Sequence, residues 1–198
     1  MVEKRRPYRL GRRGISARAT RDRIVEATVG LHDEQGISST TFRDVATRAG
    51  VSPATVLRHF PRMEELIRAC GALSNELAPF PGPGVLAGAT AARTRLHRAV
   101  VAIFAWYELV GSGLEHLQID RRRLPAVDAW LMQVDDDHRS LIGLAIGREP
   151  RHERVTIVTA LTSFGAWRSL TAAGHDSDRA SRIIVRHVIG SRHRGDVS

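Results

Sequence analysis

Residues 41–60, TFRDVATRAGVSPATVLRHF, restrict what this chain can fold into more than any other stretch. Phe42, Val45, Ala46 and Ala49 recur at helical spacing, which places them on one inward face. Gly50 follows as a residue that turns left-handed without a side-chain clash, and Val51 fills the corner behind it. Ser52 is a good N-cap and Pro53 a good first helical residue, so a second helix restarts at once, anchored by Val56 and Phe60.

Two short helices joined in this way read as a helix-turn-helix. Its second helix can lie in the DNA major groove with its early residues at the base edges. Ala46, Gly50 and Val56 hold the three positions that set the crossing: small, turn and apolar. A structural helical hairpin shares part of this pattern, so the flanking sequence has to decide.

Together with its flanks, RDRIVEATVGLHDEQG before it and PRMEEL after it, the stretch resembles the N-terminal domain of the TetR family of bacterial transcriptional regulators, from about Arg21 to Leu66. The resemblance implies an all-α fold, with a three-helix DNA-binding domain followed by a larger helical domain for effector binding and dimerisation. It implies a homodimer through the last two helices. Two positions depart from the family pattern: Leu57 stands where a tyrosine is usual and Met63 where a lysine is usual, and both usual residues touch DNA phosphates.

Charge supports a polyanionic partner. The chain carries 30 basic and 21 acidic residues for a net charge of +9, and Lys4 is its only lysine. Much of the excess lies before Ile24, where Arg12, Arg13 and Arg18 are among nine basic residues set against Glu3 and Asp22. Residues 1–19, which contain Pro7, Gly11 and Gly14, show no sustained period and are expected to form a flexible basic arm able to follow phosphates or enter the minor groove.

Thr20 is expected to cap a first helix ending at Gly36, within a DNA-binding domain of residues 20–66. A fourth helix should open at Pro61, with Cys70 on a stripe beside Leu66, Leu73 and Leu77. The broken segment PFPGPG is a candidate border between segments, and the larger domain is expected to span residues 67–198. That domain reads as helices only: about Ala89 to Val110, a short piece after Gly113, Pro125 to near Gly147, Arg151 to Ala173, and Ser177 to His193. With no apolar run long enough to cross a bilayer and no signal-peptide pattern, a cytoplasmic protein with no membrane partner is expected.

The expected DNA-facing set is Ser52, Pro53, Ala54, Thr55, Arg58 and His59 on the reading helix. Thr41 and Arg43 are expected as phosphate contacts at the start of the preceding helix, and Arg62 as a stand-in for the missing lysine. Phe104, Tyr107, His116, Trp130, Phe164 and Trp167 are candidates for an effector pocket, although each alone reads better as core. Asp135, Asp136, Asp137 and His138 read as a solvated edge beside a core histidine, so no metal and no cofactor is expected, and no enzyme motif appears. The function expected is a sequence-specific regulator, a repressor that binds double-stranded palindromic operator DNA as a homodimer and is released by a small-molecule effector. Two alternatives stay open: a basic, nonspecific DNA-organising protein, and a small-molecule-binding helical protein without operator binding.

Overall fold

The computed structural model describes residues 8–147 and 152–190, and side chains over residues 14–147 and 152–188. The described residues form nine α-helices and no strand: α1 (Tyr8–Gln35), α2 (Phe42–Ala49), α3 (Pro53–His59), α4 (Met63–Leu77), α5 (Ala92–Asp120), α6 (Pro125–Ile146), α7 (His152–Leu161), α8 (Phe164–Ala172) and α9 (Ser177–Gly190). A 3-10 turn, Pro83–Leu86, occupies the proline-rich segment. The chain divides into two compact units, one comprising residues up to Leu77 with Ser112–Val127, the other Ala78–Gly111 with Asp128 onward. α4 packs on α1 and belongs to the first unit.

In the first unit, Ile24, Val25, Leu31, Val45, Ala46, Ala49, Val56, Phe60, Leu66 and Cys70 close one apolar core. Val56 and Phe60 are fully buried, fixing one side of α3 inward and leaving the other outward. Both helix junctions carry the expected signals. Gly50 sits at φ 64° in the left-handed region, and the Ser52 hydroxyl accepts the Thr55 amide. Leu77, expected on the Cys70 stripe, is instead exposed at the end of α4. The Cys70 Sγ lies 3.8 Å from the Val25 carbonyl, and burial pushes the thiol up to about 12, so it stays protonated and packs as a small hydrophobe.

The basic segment differs from expectation. The backbone is helical from Tyr8, so most of the expected arm is the first part of α1, and Thr20 is an interior residue whose hydroxyl donates to the Ser16 carbonyl rather than a cap. Arginine and alanine are good helix formers, which outweighs the glycines at 11 and 14. Gly30, in the same helix, is explained by a side chain: a Cβ there would lie 3.3 Å from the guanidinium of Arg48, which forms a two-pronged ion pair with Glu34.

The turn between α1 and α2 is held from far along the sequence. Gly36 has φ 83°, and the buried carboxylate of Asp120 accepts the amides of Ile37 at 2.8 Å and Ser38 at 3.2 Å. His116 Nδ1 donates to the Asp33 carbonyl at 3.1 Å, and Gly113 lies so close to Asp33 that a Cβ would collide with its carboxylate. α5 therefore runs unbroken through Gly111 and Gly113 rather than stopping at Val110, and the glycine at 113 is required by close packing.

In the second unit, Leu96, Val100, Ile103 and Phe104 of α5, Leu131 and Ile142 of α6, Val158 of α7, and Ala180 and Val185 of α9 are all buried. The helix expected over residues 151–173 is two helices. Thr162 and Ser163 interrupt it, and Ser163 caps α8 by accepting the Ala166 amide. Thr162 is fully buried; its hydroxyl donates to the Val158 carbonyl at 2.8 Å, so Nε2 of His138, 2.8 Å away, is the donor to the Thr162 oxygen. His138 is thus a buried core histidine beside the exposed Asp135, Asp136 and Asp137.

Two measurements check this packing. Phe60→Ala should lower the stability of the first unit by about 3–5 kcal/mol and Gly50→Ala by about 1 kcal/mol in chemical denaturation. Burial also holds His32 and His138 down at about 4, from an ordinary value of 6.5. Both protonate more readily when unfolded, so stability is full above pH 6.5 and should fall between there and about pH 4. The slope is at most about 1.4 kcal/mol per pH unit for each histidine, and His138→Gln should remove its share from the denaturation profile.

Candidate nucleic-acid interface

With Val56 and Phe60 inside, α3 presents Ser52, Pro53, Ala54 and Arg58 to solvent, with Thr55 and His59 partly exposed beside them. Small side chains therefore lead the row and a guanidinium ends it. Ala54 and Thr55 are of a size to meet a thymine methyl, and Arg58 can fork onto a guanine edge or a phosphate. The Ser52 hydroxyl also lies 3.0 Å from that of Thr55, so the cap orients the second side chain.

Sequence reasoning passed over Leu57 as a contact. It is 45% exposed on the same short helix, an apolar side chain offered outward where the resembled family has a phenol. The available signal was its place between Val56 and Arg58, one step off the buried stripe. An exposed leucine there can meet sugar or methyl groups but can donate no hydrogen bond to a phosphate.

The start of α2 adds a cationic edge. Thr41 and Asp44 form a reciprocal capping box: the Thr41 hydroxyl accepts the Asp44 amide, and the Asp44 carboxylate accepts the Thr41 amide at 2.9 Å. Hydrogen bonds from Thr41, first its hydroxyl and then its amide, hold the Asp44 carboxyl below the usual carboxylate range, so an anion already occupies this corner. The Thr41 hydroxyl is therefore already engaged within the capping box, whereas the Arg43 side chain is exposed. Arg62 fares as Thr41 does. Its guanidinium pairs with Glu65 through Nε at 2.8 Å and Nη2 at 2.7 Å, so it is not a free substitute for the missing lysine. Arg21 lies over the Phe60 ring at 4.3 Å and screens that core residue from above.

Of the arm residues, Arg18 is exposed on α1, and the backbone of Arg12 and Arg13 is helical. Their side chains, and residues 1–7 altogether, lie outside the described residues.

The expected effector residues separate. Tyr107 meets Phe164 at 5.4 Å and Trp167 at 5.8 Å between ring centroids, Phe164 stacks on Trp167, and Phe104 lies 6.2 Å from Tyr107. Trp106 and Phe80 extend this cluster, and the Trp106 indole donates to the Ala78 carbonyl. Burial, then the nearby Asp135 charge, pushes the Tyr107 phenol well above its ordinary value. Trp130 is half-buried on α6. His116 is no part of the aromatic group: it belongs to the first unit, where its ring is spent on the Asp33 carbonyl.

Residues 24–70 match the family model described as bacterial regulatory proteins, tetR family. The N-terminal domain of this chain is a TetR-family domain. The matched span begins at the first core residue of α1 and ends at Cys70, so it contains the whole helix-turn-helix. Solved structures extend the likeness in fold over most of the chain. A structure assigned to the TetR family from Rhodococcus sp. is 22% identical with a TM-score of 0.60, over 86% of this chain and 97% of that one. A TetR-family transcriptional regulator from Streptomyces coelicolor is 18% identical with a TM-score of 0.63, over 87% and 80%. The multidrug binding protein EbrR, complexed with imidazole, is 20% identical with a TM-score of 0.58, over 84% and 93%. No curated protein matches the chain.

Arg58→Ala should relax base preference while leaving affinity for random duplex nearly unchanged. Arg43→Ala should weaken all DNA and reduce the salt slope by about 0.9 for the lost phosphate contact. Gel retardation of a selected site and a scrambled one, across salt concentrations, reads both.

Proposed function

We propose that the protein is a sequence-specific, DNA-binding transcriptional regulator that acts as a homodimer and represses from a palindromic operator until a small-molecule effector releases it. The observation that carries this reading is the outward row Ser52, Pro53, Ala54, Thr55 and Arg58, held by a capped helix whose other side is buried within a TetR-family domain. One helix of seven residues reads few base pairs, so specificity requires two heads on a two-fold site, with half-sites a whole number of helical turns apart.

Of the two helices expected to pair with the second copy, we infer the seam on the first, over residues 151–173, which is α7 and α8. Ile157 and Leu161 are exposed one turn apart on α7, and Gly165, Ser169 and Ala172 give α8 a small-residue outer side that allows close helix approach. Such apolar exposure on a chain with its own closed core fits a homodimer seam. The rings of Phe104, Tyr107, Phe164 and Trp167 favour an effector with a flat or apolar body, and the EbrR structure holds a small ring compound, imidazole. An effector that prefers the conformation unable to bind DNA weakens operator affinity by its differential affinity, about 1–3 kcal/mol in comparable couplings. No step of this reading requires catalysis or a cofactor, and a cytoplasmic location suits a protein whose partner is genomic DNA.

Protection mapping on the DNA flanking the protein's own gene tests the function. Two protected half-sites related by a palindrome are expected; uniform coverage would favour a nonspecific DNA-organising protein, and no protection a ligand-binding protein without an operator. Sedimentation tests the seam: the 21.8 kDa chain should run as a dimer and Ile157→Arg with Leu161→Arg as a monomer.

A further inference from the structure

A second cationic site lies in the unit that does not contain the helix-turn-helix. Arg93, Thr94 and His97 from the start of α5 and Arg179, Arg182, Ile183, Val185 and Arg186 from α9 line a cleft of about 640 Å³. That volume is in the range of sites for nucleotide-sized ligands. Arg179, Arg182 and Arg186 recur at three- and four-residue steps, so one side of α9 carries three guanidiniums. Arg93 and His97 sit one turn apart on the facing helix.

Charge here is unbalanced. Arg182 is paired with Asp178, whereas no acid among the described residues pairs with Arg93, Arg179 or Arg186. The contrast with their neighbours is informative. Arg95 donates to the carbonyls of Ala145 and Thr90, and Arg98 to that of Ala87, so those two arginines are used in the fold. Arg93 is exposed and makes no such bond among the described residues. The first turn of α5 holds no acidic residue, so the positive end of a 29-residue helix dipole adds to the same field.

We propose that this cleft binds a small anion carrying at least two phosphoryl charges and an apolar or aromatic body, of the size of a nucleoside diphosphate. Guanidinium forks match phosphate oxygens in pairs, and several of them set around one cleft favour a multiply charged ligand over a single carboxylate. Ile183, half-buried, gives the cleft an apolar side for the body of the ligand. The site is separate from the reading helix in sequence and in residue type, and it stands whether or not the protein recognises an operator.

Calorimetry on the full-length protein with inorganic pyrophosphate and with ADP, each at two salt concentrations, tests the assignment. Saturable binding of both is expected, tighter for ADP and weaker at high salt. Arg179→Ala with Arg186→Ala should lose at least tenfold in ADP affinity while changing random-duplex affinity less than twofold. Arg93→Gln, on the other helix, should show the same direction of loss and stands in if the double variant does not fold. The proposal fails if the wild type shows no saturable binding of either probe, if ADP binds the variants as tightly as the wild type, or if duplex affinity falls as far as ADP affinity. The last result would assign the cleft to the DNA backbone.

Discussion

The burial of Val56 and Phe60 is the constraint on which the nucleic-acid interface depends. A helix of seven residues has too few internal hydrogen bonds to persist alone. It exists because two side chains four residues apart are withdrawn from water into a core built by Ile24, Val45 and Leu66, while Ser52 satisfies an amide at its start. Once that side is fixed inward, helical geometry leaves the residues between them no choice but to face out. The identity of the outward row is therefore a consequence of core packing.

The same unit shows how a tight corner is stabilised by residues remote in sequence. Asp120 gathers two backbone amides from the turn after Gly36, and His116 takes a carbonyl from the end of α1. Left to itself, that turn would have to satisfy these groups with water while buried beside Ile37. The close passage of Gly113 past Asp33 makes room for this arrangement. The end of α5 is thus part of the head's own framework, which accounts for its continuing where an isolated reading of its glycines suggests a stop.

What could be read from the sequence followed the range of the forces involved. The α2–α3 corner was legible because its signals are local: Thr41, Gly50, Ser52 and Pro53 act within a turn of where they stand, and the apolar spacing of Val45, Ala46, Val56 and Phe60 names the core. His138 and Cys70 as buried residues followed from the same periodicity. The start of α1 is masked in the sequence by charge and two glycines, which the helix propensity of arginine and alanine outweighs. The break at Thr162 and Ser163 lay hidden in a continuous apolar period, and its cause, a buried hydroxyl shared with His138, joins residues 24 apart in sequence. Grouping His116 with the aromatic residues relied on residue type alone, and only three-dimensional proximity could separate it from them. The pairing of Arg62 with Glu65 is a matter of rotamer, which the sequence does not specify.

The central claim is that the outer side of α3 is the surface that meets DNA. Backbone amide resonances of the isotope-labelled protein, followed as duplex operator is added, test it most directly. Ala54, Thr55, Arg58 and His59 should shift most, with Arg43 beside them and little change along α9. Large shifts confined to other helices, with α3 unmoved, would contradict it.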